Sequence, residues 1–153
     1  AFYERAAARA RARYGYTVRF LSEMSRREAY ELLLPMYRAV EPTNAQALAG
    51  TLDRHFAAMG ESALAMQNGA CVGALIALRE GTAWRAACLH VVPRARNHGV
   101  TALLFDALNG KIPPEIREIQ AGGIDEDNAY SKLNAEHTGA TLFRRFRVYR
   151  LNI

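Results

Sequence analysis

Apolar and polar positions alternate along the chain with the periods of short strands and amphipathic helices. Residues 16–21 alternate and carry β-branched and aromatic side chains, which predicts a first strand. Ser25 and Glu28 form a capping box, in which the Ser caps the helix and the Glu reaches back, and this predicts a helix through about Tyr37. Before the strand, residues 3–14 are rich in Ala and Arg, which favours a solvated helix.

A second capping signal predicts a helix over residues 43–59 that stops at Gly60. Two alternating apolar runs then flank Asn68-Gly69, which is the strongest short signal for a β-hairpin. A third strand-like run follows, so residues 62–92 are predicted to form an antiparallel meander.

The remaining pattern continues the alternation of helices and strands. An apolar helical face ends at Asn109-Gly110, and Pro113-Pro114 prevents helix beyond it. The predicted order is β-α-α-β-β-β-α-β-α-β, an α/β domain with a mixed, mostly antiparallel central sheet flanked by helices. We predict a helical N-terminal arm over 1–14 and one domain over 15–153. The last predicted elements are a strand over 115–122, a helix over 125–139 and a terminal strand or hairpin over 141–153.

The composition indicates a packed globular domain. The chain has 153 residues and half of them are hydrophobic. No apolar run approaches the roughly 20 residues that span a bilayer, and the first residues lack the pattern of a signal peptide. Cys71 and Cys88 both lie in strand-like apolar runs, so we expect small, reduced core residues. These features favour a cytoplasmic protein without a membrane span.

The net charge of +5 suits anionic partners such as nucleotide phosphates, acidic substrates or nucleic acid. Four arginines crowd the last predicted strand, where they either line a groove for an anion or protect an exposed strand edge from pairing. No RNA-binding signature with interleaved aromatic residues accompanies them. These arginines are Arg144, Arg145, Arg147 and Arg150.

The stretch VVPRARNHGVTALLFDAL, residues 91–108, passes from a strand through a basic loop directly into a helix. The start of a helix leaves backbone N–H groups unpaired, and these groups attract anions. Gly99 lets the backbone approach a phosphate closely, while Arg94 and Arg96 add forked donors and charge. Thr101 adds a hydroxyl donor or begins the helix. The segment therefore has the chemistry to hold a pyrophosphate.

The same stretch resembles the acyl-CoA-binding motif of the GNAT acyltransferase superfamily, and the predicted order of elements is similar over nearly the whole chain. In that motif a strand ending L-x-V-x-P is followed by R/Q-x-x-G-x-G/A at the start of a helix. Leu89, Val91 and Pro93 match the end of the strand. The loop is matched by Arg96, Asn97, His98, Gly99, Val100 and Thr101.

This resemblance implies that acetyl-CoA, or another acyl-CoA, is the co-substrate. Its pyrophosphate would lie on residues 96–101, with Arg94 nearby, and the backbone amides around Leu89 and Val91 would face the acyl carbonyl and the pantetheine arm. Thr101 departs from the small Gly or Ala that is usual in the family. The amide of Thr101 remains available for binding, although its side chain adds bulk.

A second resemblance concerns the next predicted helix. GNAT proteins often carry an Asn near the start of that helix and a Gly about eleven residues later, and Asn128 and Gly139 have this spacing. The resemblance implies that Asn128 lies near the pantetheine or phosphate of CoA. The alternative, that Asn128 only caps its helix, stays open.

The usual acid and base of the family are missing. Many GNAT enzymes use a Tyr seven residues after the Asn as the acid, and here that position is Ala135. No carboxylate lies near Trp84 on the third strand of the meander, where a Glu often serves as the base. The candidates that remain are His90, which has a suitable pKa and lies on the correct strand, and Ser131, one turn after the Asn.

Three hypotheses follow. The first is an acyl-CoA-dependent N-acyltransferase that transfers its acyl group to a primary amine of a small molecule or peptide. The second is a catalytically silent module with the same fold that binds CoA or an acyl carrier, and the third is a nucleic-acid-binding or tRNA-modifying protein. The four His and two Cys residues lack the spacing of a metal site, so we expect no metal. The pattern leaves open whether the terminal strands pair within one chain or across a homodimer.

Overall fold

The computed structural model describes residues 2–58, 61–121, 128–137 and 140–142. The chain divides into two compact units, Ala1–Gln120 and Ala121–Ile153. The elements are α1 (Phe2–Tyr14), β1 (Thr17–Phe20), α2 (Arg26–Val40), α3 (Leu48–Ala58), β2 (Ser62–Gln67), β3 (Ala70–Glu80), β4 (Ala83–Val91), α4 (Val100–Asn109), β5 (Glu118–Ala121) and α5 (Ala129–His137).

A five-stranded sheet in the order β1-β2-β3-β4-β5 forms the centre of the first unit. The pairs β1/β2, β2/β3 and β3/β4 are all antiparallel. The hairpin between β2 and β3 turns at Asn68 and Gly69, whose φ angles of 51° and 78° suit the left-handed turn that this dipeptide favours. The predicted α/β class, its mostly antiparallel sheet and the meander over residues 62–92 are confirmed.

Helices cover both faces of the sheet. On one face, Leu75 and Ala77 of β3 line a small cavity together with Leu108 of α4. On the other face, Tyr37 of α2 contacts Cys88 of β4. Because neighbouring positions of a strand point to opposite faces, the long buried run of β3 serves two helical layers at once.

Helix α1 differs from the solvated helix that we expected. Its Ala7 and Ala10 are buried, and the helix packs along α4 within the first compact unit. Small side chains on one face let two helices approach closely, and here the repeated alanines supply that face. The division of the chain at residue 14 stays a prediction. The predicted helix is present and exposed along most of its surface, but one face is buried where Ala7 and Ala10 pack.

The first half of the chain departs from the predicted boundaries at two places. Helix α2 begins after Ser25, whose hydroxyl accepts a hydrogen bond from the Glu28 amide as predicted, but it continues past Pro35 to Val40. The predicted second helix starts later, because residues 42–47 form a 3₁₀ helix and α3 begins only at Leu48. Pro42 suits the first turn of a helix, so the signal at residues 43–46 lies inside a helical turn and does not precede one.

The second half has shorter elements than predicted. Strand β5 begins at Glu118, because a turn closed by the Ile116 amide and the Pro113 carbonyl occupies the residues before it. Helix α5 is described over Ala129–His137. Most of the predicted terminal strand, residues 143–153, lies outside the described residues, and residues 140–142 form no strand.

Candidate functional site: a bulged strand, a basic loop and a half-buried histidine

Strand β4 carries a β-bulge just before its candidate site residues. Ile76 pairs with Cys88 and Ala77 pairs with Ala86, so Ala87 has no partner in the register. A bulge reverses the facing of all later side chains on its strand. Ala86 therefore faces α4, whereas Cys88 and His90 face α2.

The loop after β4 contains two left-handed residues. Pro93–Ala95 form a short 3₁₀ turn, after which Asn97 and Gly99 have φ angles of 62° and 81°. Gly99 is the N-cap of α4, and its carbonyl accepts the first helical hydrogen bond from Leu103. Gly99 has no side chain to cap the helix, so the first amides of α4 receive no side-chain cap from it. The loop therefore places a left-handed glycine at the start of a helix, which is where proteins often bind anions.

The predicted loop residues have different surroundings. Arg94, Arg96 and Asn97 are exposed, and Arg96 Nε donates to the Val91 carbonyl at 3.3 Å, which ties the loop back to β4. Val100 is buried in the core, so only its backbone is available to a ligand. Two other side chains of the motif are partly accessible to solvent. Leu89 is 36% exposed, and Thr101 is half-buried.

His98 is held by two tyrosines from the region before β1. The Tyr16 hydroxyl lies 3.1 Å from His98 Nδ1, and the Tyr14 ring stacks on the imidazole. These contacts fix the ring at the side of the loop that faces α1. Sequence reasoning placed His98 in the loop but did not identify either tyrosine, because both precede it by more than eighty positions.

Gly73 of β3 is a further residue that sequence reasoning did not identify. A Cβ built on Gly73 would lie 2.7 Å from Val100 Cγ1 and 3.0 Å from the His90 carbonyl oxygen. Real Cβ atoms do not approach other atoms this closely, so only glycine fits without movement. Gly73 therefore lets Val100, at the start of α4, pack directly on β3 beside the backbone of His90 on the neighbouring strand.

His90 is half-buried between β4 and α2. Its Nδ1 lies 4.0 Å from Glu41 Oε1, and its ring meets the Tyr37 ring edge-on with centroids 4.9 Å apart. Burial lowers the pKa of His90, and the negative charge of Glu41 partly opposes this shift. A lowered pKa keeps the imidazole neutral near pH 7, so it can accept a proton.

Tyr37 and Cys88 lie beside His90 as a protonated pair. Tyr37 Oη and Cys88 Sγ are 3.0 Å apart. Burial raises the pKa of the Cys88 thiol to about 11 and raises the pKa of Tyr37 well above its ordinary value. Cys88 is therefore a poor nucleophile at neutral pH. Both cysteines are free, and burial also raises the pKa of Cys71 to about 12, as expected for inert, reduced residues.

Glu41 and Tyr37 were missed because nothing in the sequence pairs them with His90. They are four positions apart, since Tyr37 lies in the last turn of α2 and Glu41 is its C-cap, whose amide donates to the Tyr37 carbonyl. This spacing was the one sequence signal that could have indicated that Tyr37 and Glu41 lie near each other. It points to β4 only once the bulge has turned His90 toward α2.

Asn128 and Ser131, the other predicted site residues, lie in the second compact unit. The Asn128 carbonyl accepts a hydrogen bond from the Lys132 amide, so Asn128 directly precedes the first turn of α5. Ser131 is in that first turn. Their predicted roles stay predictions.

Among the described residues, no three His, Cys, Asp or Glu side chains are grouped so that they could hold a metal ion. Within the same part of the chain, no helix is both long enough and apolar enough to cross a bilayer.

No protein-family model matches the sequence, and neither does any curated protein. Solved structures do match. The aminoglycoside N-acetyltransferase AAC(6')-Iy, in complex with a bisubstrate analogue of CoA, superposes with a TM-score of 0.69 at 17% identity and covers 90% of this chain and 99% of that one. The chain therefore has the GNAT fold.

Two further solved structures with this fold are of enzymes whose names give different acceptors. A ribosomal-protein-alanine N-acetyltransferase from Brucella melitensis biovar Abortus 2308 matches with a TM-score of 0.65 at 16% identity, covering 90% of this chain and 99% of that one. An aminoglycoside acetyltransferase from an uncultured soil metagenomic sample, in complex with sisomicin, matches with a TM-score of 0.63 at 16% identity, covering 90% and 96%. At these identities the likeness establishes the GNAT fold itself.

Proposed function

We propose that the protein is an acyl-CoA-dependent N-acyltransferase, with acetyl-CoA as its acyl donor. The observation that carries this proposal is the path of β4, which presents His90, passes through a basic loop and meets the left-handed Gly99 at the start of α4. The GNAT fold supports the proposal, because the similar structures include an N-acetyltransferase bound to a CoA analogue.

Acyl-CoA binding is assigned to the loop and to β4. The backbone amides at Asn97, Gly99, Val100 and Thr101 hold the pyrophosphate, while the His98 amide donates to the Ala95 carbonyl within the loop. Arg94 and Arg96 supply positive charge, since both are exposed and form no ion pair with any described residue. The backbone at Leu89 and Val91 faces the pantetheine arm and the acyl carbonyl, where an amide stabilises the developing oxyanion. Asn128 is the predicted contact from α5.

His90 is the proposed general base. The substrate ammonium gives one proton to the neutral His90 imidazole, and the free amine then attacks the thioester carbonyl. A C–N bond forms, the C–S bond breaks, and the sulfur leaves as thiolate. The nitrogen gives up its second proton, and protonation of the thiolate gives CoA and the amide. Ser131 stays the sequence-based candidate for the acid at this step. Glu41 stabilises the imidazolium that forms at His90.

The acceptor is a primary amine of a small molecule or peptide. The similar structures include both kinds by name, an aminoglycoside acetyltransferase and a ribosomal-protein-alanine acetyltransferase. The catalytically silent module is the second candidate, and the observation that favours it is Ala135 in place of the Tyr expected on α5. A cytoplasmic location fits the two free cysteines.

Calorimetric titration of acetyl-CoA tests the proposal. The wild type is compared with an Arg94→Ala/Arg96→Ala variant and with each single change, which remove positive charge from the loop and leave Gly99 in place. Arg85→Ala is the control, since Arg85 lies on β4 but pairs with Glu80 away from the loop. We expect micromolar binding that the loop variants lose and the control keeps.

Turnover separates the two candidate functions. Incubation with acetyl-CoA and a panel of amines, followed by mass spectrometry, should give an acetylated amine and free CoA. Binding without turnover for any amine would identify a silent module, and absence of binding to both acetyl-CoA and CoA would contradict the acyltransferase.

A further inference from the structure

A groove of about 470 Å³ runs between α1 and the loop that precedes α4. We call it the α1 groove. One wall is α1, which contributes Arg9 and Arg13, and the opposite wall is the loop over residues 97–99. Its full lining is Ala6, Arg9, Ala10, Ala12, Arg13, Tyr14, Asn97, His98 and Gly99.

The two walls of the α1 groove are packed against each other at its base. A Cβ built on Gly99 would lie 3.1 Å from Ala10 Cβ and 3.2 Å from the Ala6 carbonyl oxygen, so the helix touches the loop directly. Further along α1, Arg11 forms a 3.2 Å ion pair with Asp106 of α4. These contacts fix the position of α1, and the groove is therefore a built feature of the first compact unit.

Two unbalanced positive charges face the α1 groove. Arg9 and Arg13 are four positions apart, so they lie on the same face of α1. Both are exposed, and neither forms an ion pair with any residue that the structure describes. The Arg13 guanidinium lies 5.3 Å from the centre of the Tyr14 ring, which orients it beside the loop. Arg11 of the same helix differs from them, because its charge is neutralised by the ion pair with Asp106.

We infer that α1 forms part of the acyl-CoA site and that Arg9 and Arg13 bind the phosphate groups at the nucleotide end of CoA. This inference rests on the proposed function. Guanidinium groups bind phosphate with forked, charge-assisted hydrogen bonds, and the groove opens beside the loop proposed to hold the pyrophosphate. Helix α1 is then a binding element of the enzyme rather than an arm at its edge.

The test measures binding of CoA, dephospho-CoA and pantetheine by calorimetry to the full chain. The variant is Arg9→Gln/Arg13→Gln, together with each single change. Arg5→Gln is the matched control, because it removes the same charge from the same exposed helix but does not line the groove. We expect the double variant to weaken CoA binding by at least tenfold and the control to stay within twofold.

The three probes separate the phosphate groups. A larger loss for CoA than for dephospho-CoA assigns the arginines to the 3′-phosphate, and an equal loss assigns them to the pyrophosphate. Pantetheine has no phosphate, so its binding should not change. Circular dichroism of each variant verifies the fold, and the lysine variant Arg9→Lys/Arg13→Lys should recover part of the affinity because it keeps the charge.

Different results would contradict the inference about α1 and the proposed function. If the wild type binds CoA and the double variant binds it equally well, the inference about α1 is wrong and the proposed function stands. A double variant and a control that lose the same affinity would also overturn the inference, since only total charge would matter. If the wild type binds neither CoA nor acetyl-CoA, both proposals fail.

Discussion

The ring of Tyr14 stacks on the imidazole of His98, with centroids 4.2 Å apart and an angle of 11° between the planes. Tyr14 ends α1, and His98 lies in the loop that feeds α4, so one aromatic contact joins the start of the chain to the candidate phosphate loop. The Tyr16 hydroxyl adds a hydrogen bond to the same imidazole. The geometry of the loop therefore depends on residues that precede the first strand.

Replacing Tyr16 with Phe should lower the free energy of unfolding by about 1 kcal/mol, because the change removes one part-buried hydrogen bond and leaves His98 Nδ1 without it. Urea denaturation followed by circular dichroism measures the effect. Tyr30→Phe on α2 is the control, since the structure shows no hydrogen bond for that hydroxyl among the described residues. Equal losses in the two variants would indicate that the contact with His98 contributes nothing.

Gly99→Ala should destabilise the protein by about 2 kcal/mol or more. The φ of 81° is unfavourable for any side chain, and the new methyl group would press on Ala10 and the Ala6 carbonyl of α1. Gly69→Ala is the matched control, because Gly69 has a φ of 78° but no atom within 4 Å of its Cβ position. The control isolates backbone strain, for which we expect about 1 kcal/mol. Equal unfolding free energies for the two variants would contradict close packing of α1 on the loop.

The fold could be predicted largely from local signals in the sequence. Asn68-Gly69 marks the hairpin, Ser25 and Glu28 mark the start of α2, and Gly99 marks the start of α4, because each signal reports the backbone conformation of its own segment. The packing of α1 could not be predicted in this way. Its alanines favour helix whether solvated or buried, and only the partner helix decides which.

The candidate site was only partly predictable, for two physical reasons. The loop residues are contiguous, so their chemistry could be judged from the sequence alone. The surroundings of His90 depend on the unpaired Ala87, and a pattern of strict alternation would keep His90 on the face of Trp84 and Ala86. Glu41 could not be found without that bulge. The contact between Glu41 and His90 joins the end of α2 to β4, which are separated along the chain by α3, β2 and β3.

Ser62→Ala should lower the free energy of unfolding by about 1–3 kcal/mol. The buried Ser62 hydroxyl lies 3.0 Å from His55 Nδ1 and accepts a hydrogen bond from the Ala77 amide at 3.1 Å, so its loss leaves two buried polar groups unsatisfied. Thermal and urea denaturation measure the change. Ser22→Ala is the control, because its hydroxyl bonds to Glu61 at the exposed surface. A loss no larger than that of the control would show that Ser62 and His55 do not act as a buried pair.

The stability of the protein should fall as the pH is lowered below about 6.5. Burial lowers the pKa of both His55 and His90 in the folded state, while the unfolded chain binds protons at the ordinary value of 6.5. Above that pH both states are neutral at these residues and the effect vanishes. Below it the unfolded state takes up more protons, and each unit of pKa depression corresponds to about 1.4 kcal/mol.

Urea denaturation at a series of pH values between 5 and 8 measures this dependence. His55→Gln should flatten the curve between pH 5 and 6.5, because it removes the more deeply buried of the two imidazoles. A curve of unchanged slope in that variant would show that folding leaves the pKa of His55 unshifted.

Glu41→Gln should move the acidic limb of the pH–rate profile to lower pH. If His90 is the general base, the rate falls when His90 becomes protonated, and the charge of Glu41 raises the pKa of His90. Removal of that charge lowers the pKa further, so the limb moves to lower pH, by an amount that the solvent exposure of Glu41 reduces. The profile of kcat/KM with acetyl-CoA and the amine found by screening measures the shift.

His90→Gln removes the proposed base and keeps a polar side chain of similar size. We expect a loss of about 10²- to 10⁴-fold in kcat, together with disappearance of the acidic limb, while the Kd for acetyl-CoA stays within a few-fold of the wild type.

The control for the Glu41→Gln variant is Glu28→Gln, since the carboxylate of Glu28 pairs with Arg19 away from His90. A limb that moves equally in both Gln variants would reflect the net charge of the protein. A limb that survives His90→Gln would assign the base to another group, and the position of His90 beside Glu41 and Tyr37 would then be structural.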